Sequence, residues 1–180
     1  MADFINVSSS LKVYLQKDKR YLRLKDSLST LPVFNLDVDS IYSEIKMADS
    51  MRKVKKLKST APDFVDRIIA AALNDQNIRS RMTEILTETV RTRRSLEVAL
   101  ESFTSYALLR YADTLSIFKT KGEKEGAINF FFSDAYKYLA DICMLQDVVT
   151  KVVEDIDKAH WTLKTIVDAL KMIHTPEGRI

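Results

Sequence analysis

Residues able to do covalent or metal chemistry are few in this chain, and their spacing is poor for it. Histidine occurs twice and cysteine once in 180 residues. Neither His160 nor His174 has a nucleophile or a second ligand at a useful spacing. Cys143 sits beside an apolar helical position and reads as a small packing residue. Glu154, Asp155 and Asp157 crowd together, but His160 has no second His within a turn. Those acids fit a solvated helix face better, through i,i+4 pairs Asp147–Lys151, Lys151–Asp155 and Glu154–Lys158. Lys121-Gly122 lacks the upstream Gly and the following Ser/Thr of a phosphate loop. The expectation is a protein with no catalytic residues, no metal and no cofactor.

The cations are the more informative chemistry. Arg52, Lys53, Lys55, Lys56 and Lys58 place five positive charges in seven residues. Lys119, Lys121 and Lys124 cluster in a second run, and these eight residues are the candidate nucleic-acid contacts. Lys12, Lys17, Lys19, Arg20, Arg23 and Lys25 form a third run, and Arg91, Arg93 and Arg94 a fourth. Such runs suit phosphate contact, docking on an acidic protein, or plain solvation. Tyr14, Tyr21 and Phe118 lie near them, where rings can stack on exposed bases. No helix pairs its cations with a large Trp/Phe/Leu face, so a membrane surface is not the expected partner. Trp161 is expected to pack on a neighbouring helix rather than to stack on a base.

The elements that must position these groups are helical. Gly and Pro number 3 each, too few for an all-β or loop-rich fold. Pro32, Pro62 and Pro176 fall at helix boundaries. From Ile142 the apolar residues step by three and four: Ile142, Leu145, Val149, Val152, Ile156, Ala159, Leu163, Ile166, Leu170, Ile173. Extended backwards, the register takes in Tyr138, Ala135 and Phe131. This is a heptad seam, to be buried inside the chain or between copies. Val148, Val153 and Val167 widen it, which favours a bundle or a homo-oligomer.

A second long helix is expected from Ile78 to Phe118, with a polar stretch from Glu88 to Ser95 that holds only Val90 as an apolar residue. There the helix is either exposed or its seam meets polar groups. Lys119 to Gly126 reads as a two-Gly turn, so the two long helices should form an antiparallel αα-hairpin. Upstream, one helix is expected from Ser8–Ser10 to Ser29. An extended connection follows over Leu31–Leu36, then a helix from Ser40 to Lys58 capped by Asp37 or Asp39. A short helix from Pro62 to Leu73 is interrupted or kinked by Asn74–Asn77. The fold class is all-α: a long-helix hairpin with shorter N-terminal helices. Residues 1–60 form a basic helical region and residues 61–180 the hairpin, together one structural unit.

Net charge is +3, with 12 Lys/Arg against 7 Asp/Glu in residues 1–60 and 16 against 18 in the remainder. A lone cysteine and the lack of an apolar leader lead to an expected cytoplasmic location, the host cytoplasm if the chain is phage-encoded. No window reaches the roughly 18 apolar residues of a membrane span.

Tyr111, Phe118, Lys119, Lys121 and Gly122, then Ser133–Asp141 and a long apolar helix with a late Trp161, form a recognisable order. Over residues 77–173 it resembles the UvsY-like recombination mediators of tailed phages. The resemblance implies a non-enzymatic ring or barrel-like homo-oligomer that binds single-stranded DNA and assists a RecA-type recombinase. Lys119 and Lys121 match the family's basic loop. The chain lacks the tandem aromatic pair before the Gly and adds about 75 residues at the N-terminus. The other reading of the whole is a helical adaptor, inhibitor or assembly protein with an acidic protein partner.

Overall fold

The computed structural model describes residues 10–54 and 64–174, with side chains at 10–54 and 66–169. These residues are all-α, with no strand among them. The helices are α1 (10–15), α2 (Lys19–Thr30), α3 (Val38–Met51), α4 (Phe64–Arg110), α5 (Lys121–Asn129) and α6 (Ser133–His174). Among the described residues no helix is long and apolar enough to cross a membrane.

Leu11 and Leu15, four apart, bury the inner face of α1. The continuous N-terminal helix expected from the spacing breaks at Asp18. Its carboxylate caps α2 instead, accepting hydrogen bonds from the backbone N–H of Arg20 (2.7 Å) and Tyr21 (3.2 Å). Leu31 ends α2 in an extended conformation (ψ 128°), as a residue before proline should. The segment after it is tighter than the expected extended run: Pro32–Phe34 forms a turn of 3₁₀ helix and buries Phe34.

The hairpin's long helices differ from expectation at their ends. α4 is unbroken for 47 residues, through the polar run at Asn74–Asn77. Its buried or half-buried inner positions step 68, 71, 75, 78, 82, 85, 89, 92, 96. That is a second heptad seam, concealed in the sequence because Asp75, Thr89 and Thr92 occupy it. All three are buried. The Glu88–Ser95 stretch is therefore not an exposed break: Thr89 and Thr92 are buried and continue the stripe.

The expected two-Gly turn is also helical. Thr120 and Glu123 form a reciprocal capping box that starts α5 at Lys121. Gly122 and Gly126 sit inside that helix, and neither has a positive φ. The chain turns earlier, over 111–119. A second 3₁₀ turn, Phe130–Phe132, separates α5 from α6, so α6 begins at Ser133 rather than near Ala127. The 3₁₀ turn also shifts the register, and Phe132 is buried where Phe131 was expected.

The contacts divide the chain into two compact units: residues 1–38 with 89–144, and residues 39–88 with 145–180. Helices α4 and α6 contribute to both. In the first unit, α1, α2, the turn region and α5 pack around Leu96, Leu100, Phe103 and Ala107 of α4. Its centre is an aromatic triad: Tyr21–Phe132 at 5.4 Å, Phe103–Phe132 at 5.2 Å and Tyr21–Phe103 at 5.9 Å between ring centroids. Tyr138 of α6 accepts a 2.7 Å hydrogen bond from the Leu36 N–H and fixes the segment after the first 3₁₀ turn.

In the second unit, Ile45 of α3 is buried, as are Ile68, Ala71, Met82 and Ile85 of α4 and Leu145, Val149 and Ile156 of α6. Of the predicted seam, Ile142, Leu145, Val149 and Ile156 are thus buried within one chain. Val152 and Leu163 are half-buried, Ile166 is exposed, and the Leu170 side chain lies outside the described residues.

Candidate nucleic-acid interface

Arg52 is not a phosphate contact. It is 1% exposed. Its guanidinium lies among three carboxylates: Asp49 at 3.2 Å, Asp75 at 3.5 Å and Asp155 at 3.7 Å. Its Nη2 also donates to the Asp155 carbonyl at 3.1 Å. The fully buried Asp75 accepts from the Lys53 N–H at 3.1 Å, and Asn74 Nδ2 donates to the Met51 carbonyl. α3 therefore stops at Met51, not Lys58, because its C-terminus is bonded into α4 and α6. The Nε–Oδ2 contact of Arg52 and Asp75 at 3.5 Å is an ion pair without hydrogen-bond geometry.

The remaining predicted contacts divide. Lys53 is exposed beside this clamp, and Lys55, Lys56 and Lys58 lie outside the described residues. Lys119 and Lys121 are exposed and Lys124 half-buried, all in the first unit. Lys121 pairs with Glu125 at 3.5 Å, and the Lys119 N–H bonds the Glu123 carboxylate. The acids read as a solvated face are partly used across helices: Asp155 at Arg52, and Asp157 in a bidentate pair with Arg79 at 2.5 and 3.1 Å. Glu44 likewise joins α3 to Arg81 of α4 at 2.6 and 3.1 Å.

Cations and rings converge elsewhere in the first unit, where α1 and α2 meet the end of α4. Tyr14, Lys17, Asp18, Lys19, Arg20, Tyr106, Arg110 and Tyr111 line an open pocket of about 340 Å³. The rings are ordered by one acid. Asp18 Oδ2 accepts from Tyr106 at 2.8 Å and, by a short bond, from Tyr111, while Oδ1 serves the α2 backbone. Tyr14 stacks on Tyr111 with centroids 6.2 Å apart and planes 27° apart. It remains 52% exposed, so its outer face is open. The Arg20 guanidinium covers the Tyr106 ring at 4.3 Å from its centroid.

Electrostatics in the pocket favour an anion. Lys17, Lys19, Arg20 and Arg110 are exposed, and no ion pair occupies them among the described residues. The one facing carboxylate, Asp18, is already saturated by hydrogen bonds. Burial pushes its pKa up, but the bonds from Tyr111, Tyr106 and the α2 backbone outweigh burial and hold it below the usual value. The same geometry raises the Tyr111 pKa, by burial and by the bond to Asp18. The tyrosines thus stay neutral and the cations face outward.

The α1–α2 cations and Tyr14 stand in the sequence as one basic run with a nearby ring. Arg110 and Tyr106 were missed. Their signal is the i,i+4 step from Tyr106 to Arg110, next to Tyr111 at the end of a helix. Trp161, expected to pack, is 71% exposed in the second unit. Among the described residues no group of three or more His, Cys, Asp or Glu could hold a metal ion. No family model, curated protein or solved structure matches the chain.

Proposed function

We propose that the protein is a non-enzymatic, oligomeric accessory protein that binds single-stranded nucleic acid in the pocket formed by α1, α2 and α4. One observation supports this reading above the others. Four outward cations surround Tyr14, whose stacked and open ring offers a platform for an unpaired base. Phosphates on the cations and a base on a ring are the two contacts that sequence-tolerant single-strand binders combine. An acidic protein partner would use the cations but gives no role to the open Tyr14 face. A mediator role beside a recombinase, implied by the UvsY-like resemblance, is the narrower form of this proposal.

A labelled oligonucleotide tests it, presented once as a single strand and once in a duplex at the same salt. Preferential binding of the single strand, reduced about tenfold or more by Tyr14→Ala, is expected, since one stacked base contributes roughly 1–3 kcal/mol. Equal binding of both forms, unaffected by Tyr14→Ala, would contradict it.

A further inference from the structure

The pocket beside Tyr14 has a neighbour in the first unit. A second opening of about 160 Å³ lies between α2 and α4, lined by Arg20, Leu24, Ala99, Ser102, Phe103 and Tyr106. Two of these residues, Arg20 and Tyr106, also line the first pocket. We propose that the second opening seats the next base of the same single strand, with the phosphate between the two nucleotides on Arg20. The inference rests on the proposed function and deepens it, by assigning a second base subsite to the strand.

Helix packing puts the two openings in line. α2 lies along α4 with the numbering reversed. Asp18 bonds Tyr106, Tyr21 packs on Phe103 with centroids 5.9 Å apart, and Leu24 shares the second opening with Ala99. From Tyr106 back to Ala99 the axis of α4 covers about 10 Å, seven residues at roughly 1.5 Å each. The second opening therefore follows the first along one helix pair. Arg20 stands at the join, its guanidinium 4.3 Å from the Tyr106 centroid.

The lining suits a base on an anionic chain. Leu24, Ala99 and Phe103 are apolar, and Ser102 is exposed beside them. A serine hydroxyl both donates and accepts, so it serves the edge of any base. Sequence-tolerant binders need that breadth. The volume, about 160 Å³ against about 340 Å³ for the first pocket, is that of a single-base subsite. Charge selects this edge of α2 over the other. Arg20 is the one charged residue lining the second opening. The larger cavity on the opposite edge, about 470 Å³, is lined by Asp37 and Asp134 against a single Lys25. Phosphates are repelled there and attracted on the α4 side.

The test uses the full chain at one low salt concentration. Anisotropy of a labelled thymidine dodecanucleotide reports basal binding, and unlabelled dinucleotides compete with it. A terminally phosphorylated thymidine dinucleotide should compete about tenfold better than the same molecule with either residue abasic, since each base stacks separately. Ser102→Trp, which fills the second opening, should erase that difference and leave competition by the abasic forms unchanged. Ser102→Ala keeps the space and should keep the difference. If Ser102→Trp loses its helical circular dichroism, Ser102→Glu takes its place, and its carboxylate should erase the difference as well. Dodecanucleotide binding with no discrimination between the dinucleotide and its abasic forms would overturn this inference and leave the Tyr14 pocket standing. So would discrimination that survives in the Trp or Glu variant. No binding of the dodecanucleotide would overturn both.

Discussion

Arg52 shows how far residue type alone can mislead. In the sequence it leads the densest basic run; in the structure it is the internal counter-ion of Asp75. A buried charge is retained only when paired, and removing one partner strands the other. Arg52→Gln is therefore expected to lower unfolding stability by about 3–5 kcal/mol in urea titrations, leaving single-strand affinity at a given salt unchanged. Loss of binding without loss of stability would reverse this assignment. The clue was present but ambiguous: five cations in a row cannot show which one turns inward. Asp75 had the matching ambiguity, since a polar residue in an amphipathic pattern looks like an interruption until its partner is known. Tyr14 and the Lys17–Arg20 cations were legible as a basic, aromatic run. Arg110 was not, because only the packing of α1 and α2 on the end of α4 brings it to them.

Elements were legible where apolar periodicity was strong and less so where capping decides. The α6 register from Ile142 to Ile156 is read directly from the spacing, and those positions are buried or half-buried. The α4 seam was hidden by Asp75, Thr89 and Thr92, which look polar in the sequence yet are buried in the structure. The two glycines of Lys119–Gly126 read as a turn, whereas the capping box of Thr120 and Glu123 starts a helix there. That difference is testable. Both glycines have negative φ and open space where a Cβ would sit. Gly126→Ala is expected to stabilise the protein by about 0.5–1 kcal/mol, the helical penalty of glycine. Thr120→Ala should cost about 1 kcal/mol by removing the cap. Thermal melts of the two variants moving in opposite directions would support the helix. A destabilising Gly126→Ala would favour the turn.

Across the whole molecule, hydrogen-bonded carboxylates and phenols set the pH range of stability. Hydrogen bonds from Arg81 depress the Glu44 pKa and those from Arg79 depress that of Asp157, while Asp18 is depressed by its tyrosine and backbone partners against burial. Depressed carboxylates contribute stability that is complete above their unfolded pKa and lost as pH falls through the folded values. Urea midpoints should hold from neutral pH down to about 5 and decline below about 4. Burial and the bond to Asp18 raise the Tyr111 pKa. Its contribution is complete below about pH 10 and lost as pH climbs through the raised value. Tyrosinate absorbance in the folded protein should therefore appear later than in the unfolded chain.

The central claim, that the outward cations of the first unit hold the phosphates of a single strand, is tested most directly by its salt dependence. Anisotropy of a labelled single-stranded oligonucleotide would be followed over a series of salt concentrations. Four phosphate contacts, at Lys17, Lys19, Arg20 and Arg110, predict a slope of log K against log salt near ~3 in magnitude. Replacing Lys17, Lys19 and Arg110 by Gln should lower it by about 2. Absence of binding at low salt, or a slope unchanged in that triple variant, would contradict the account.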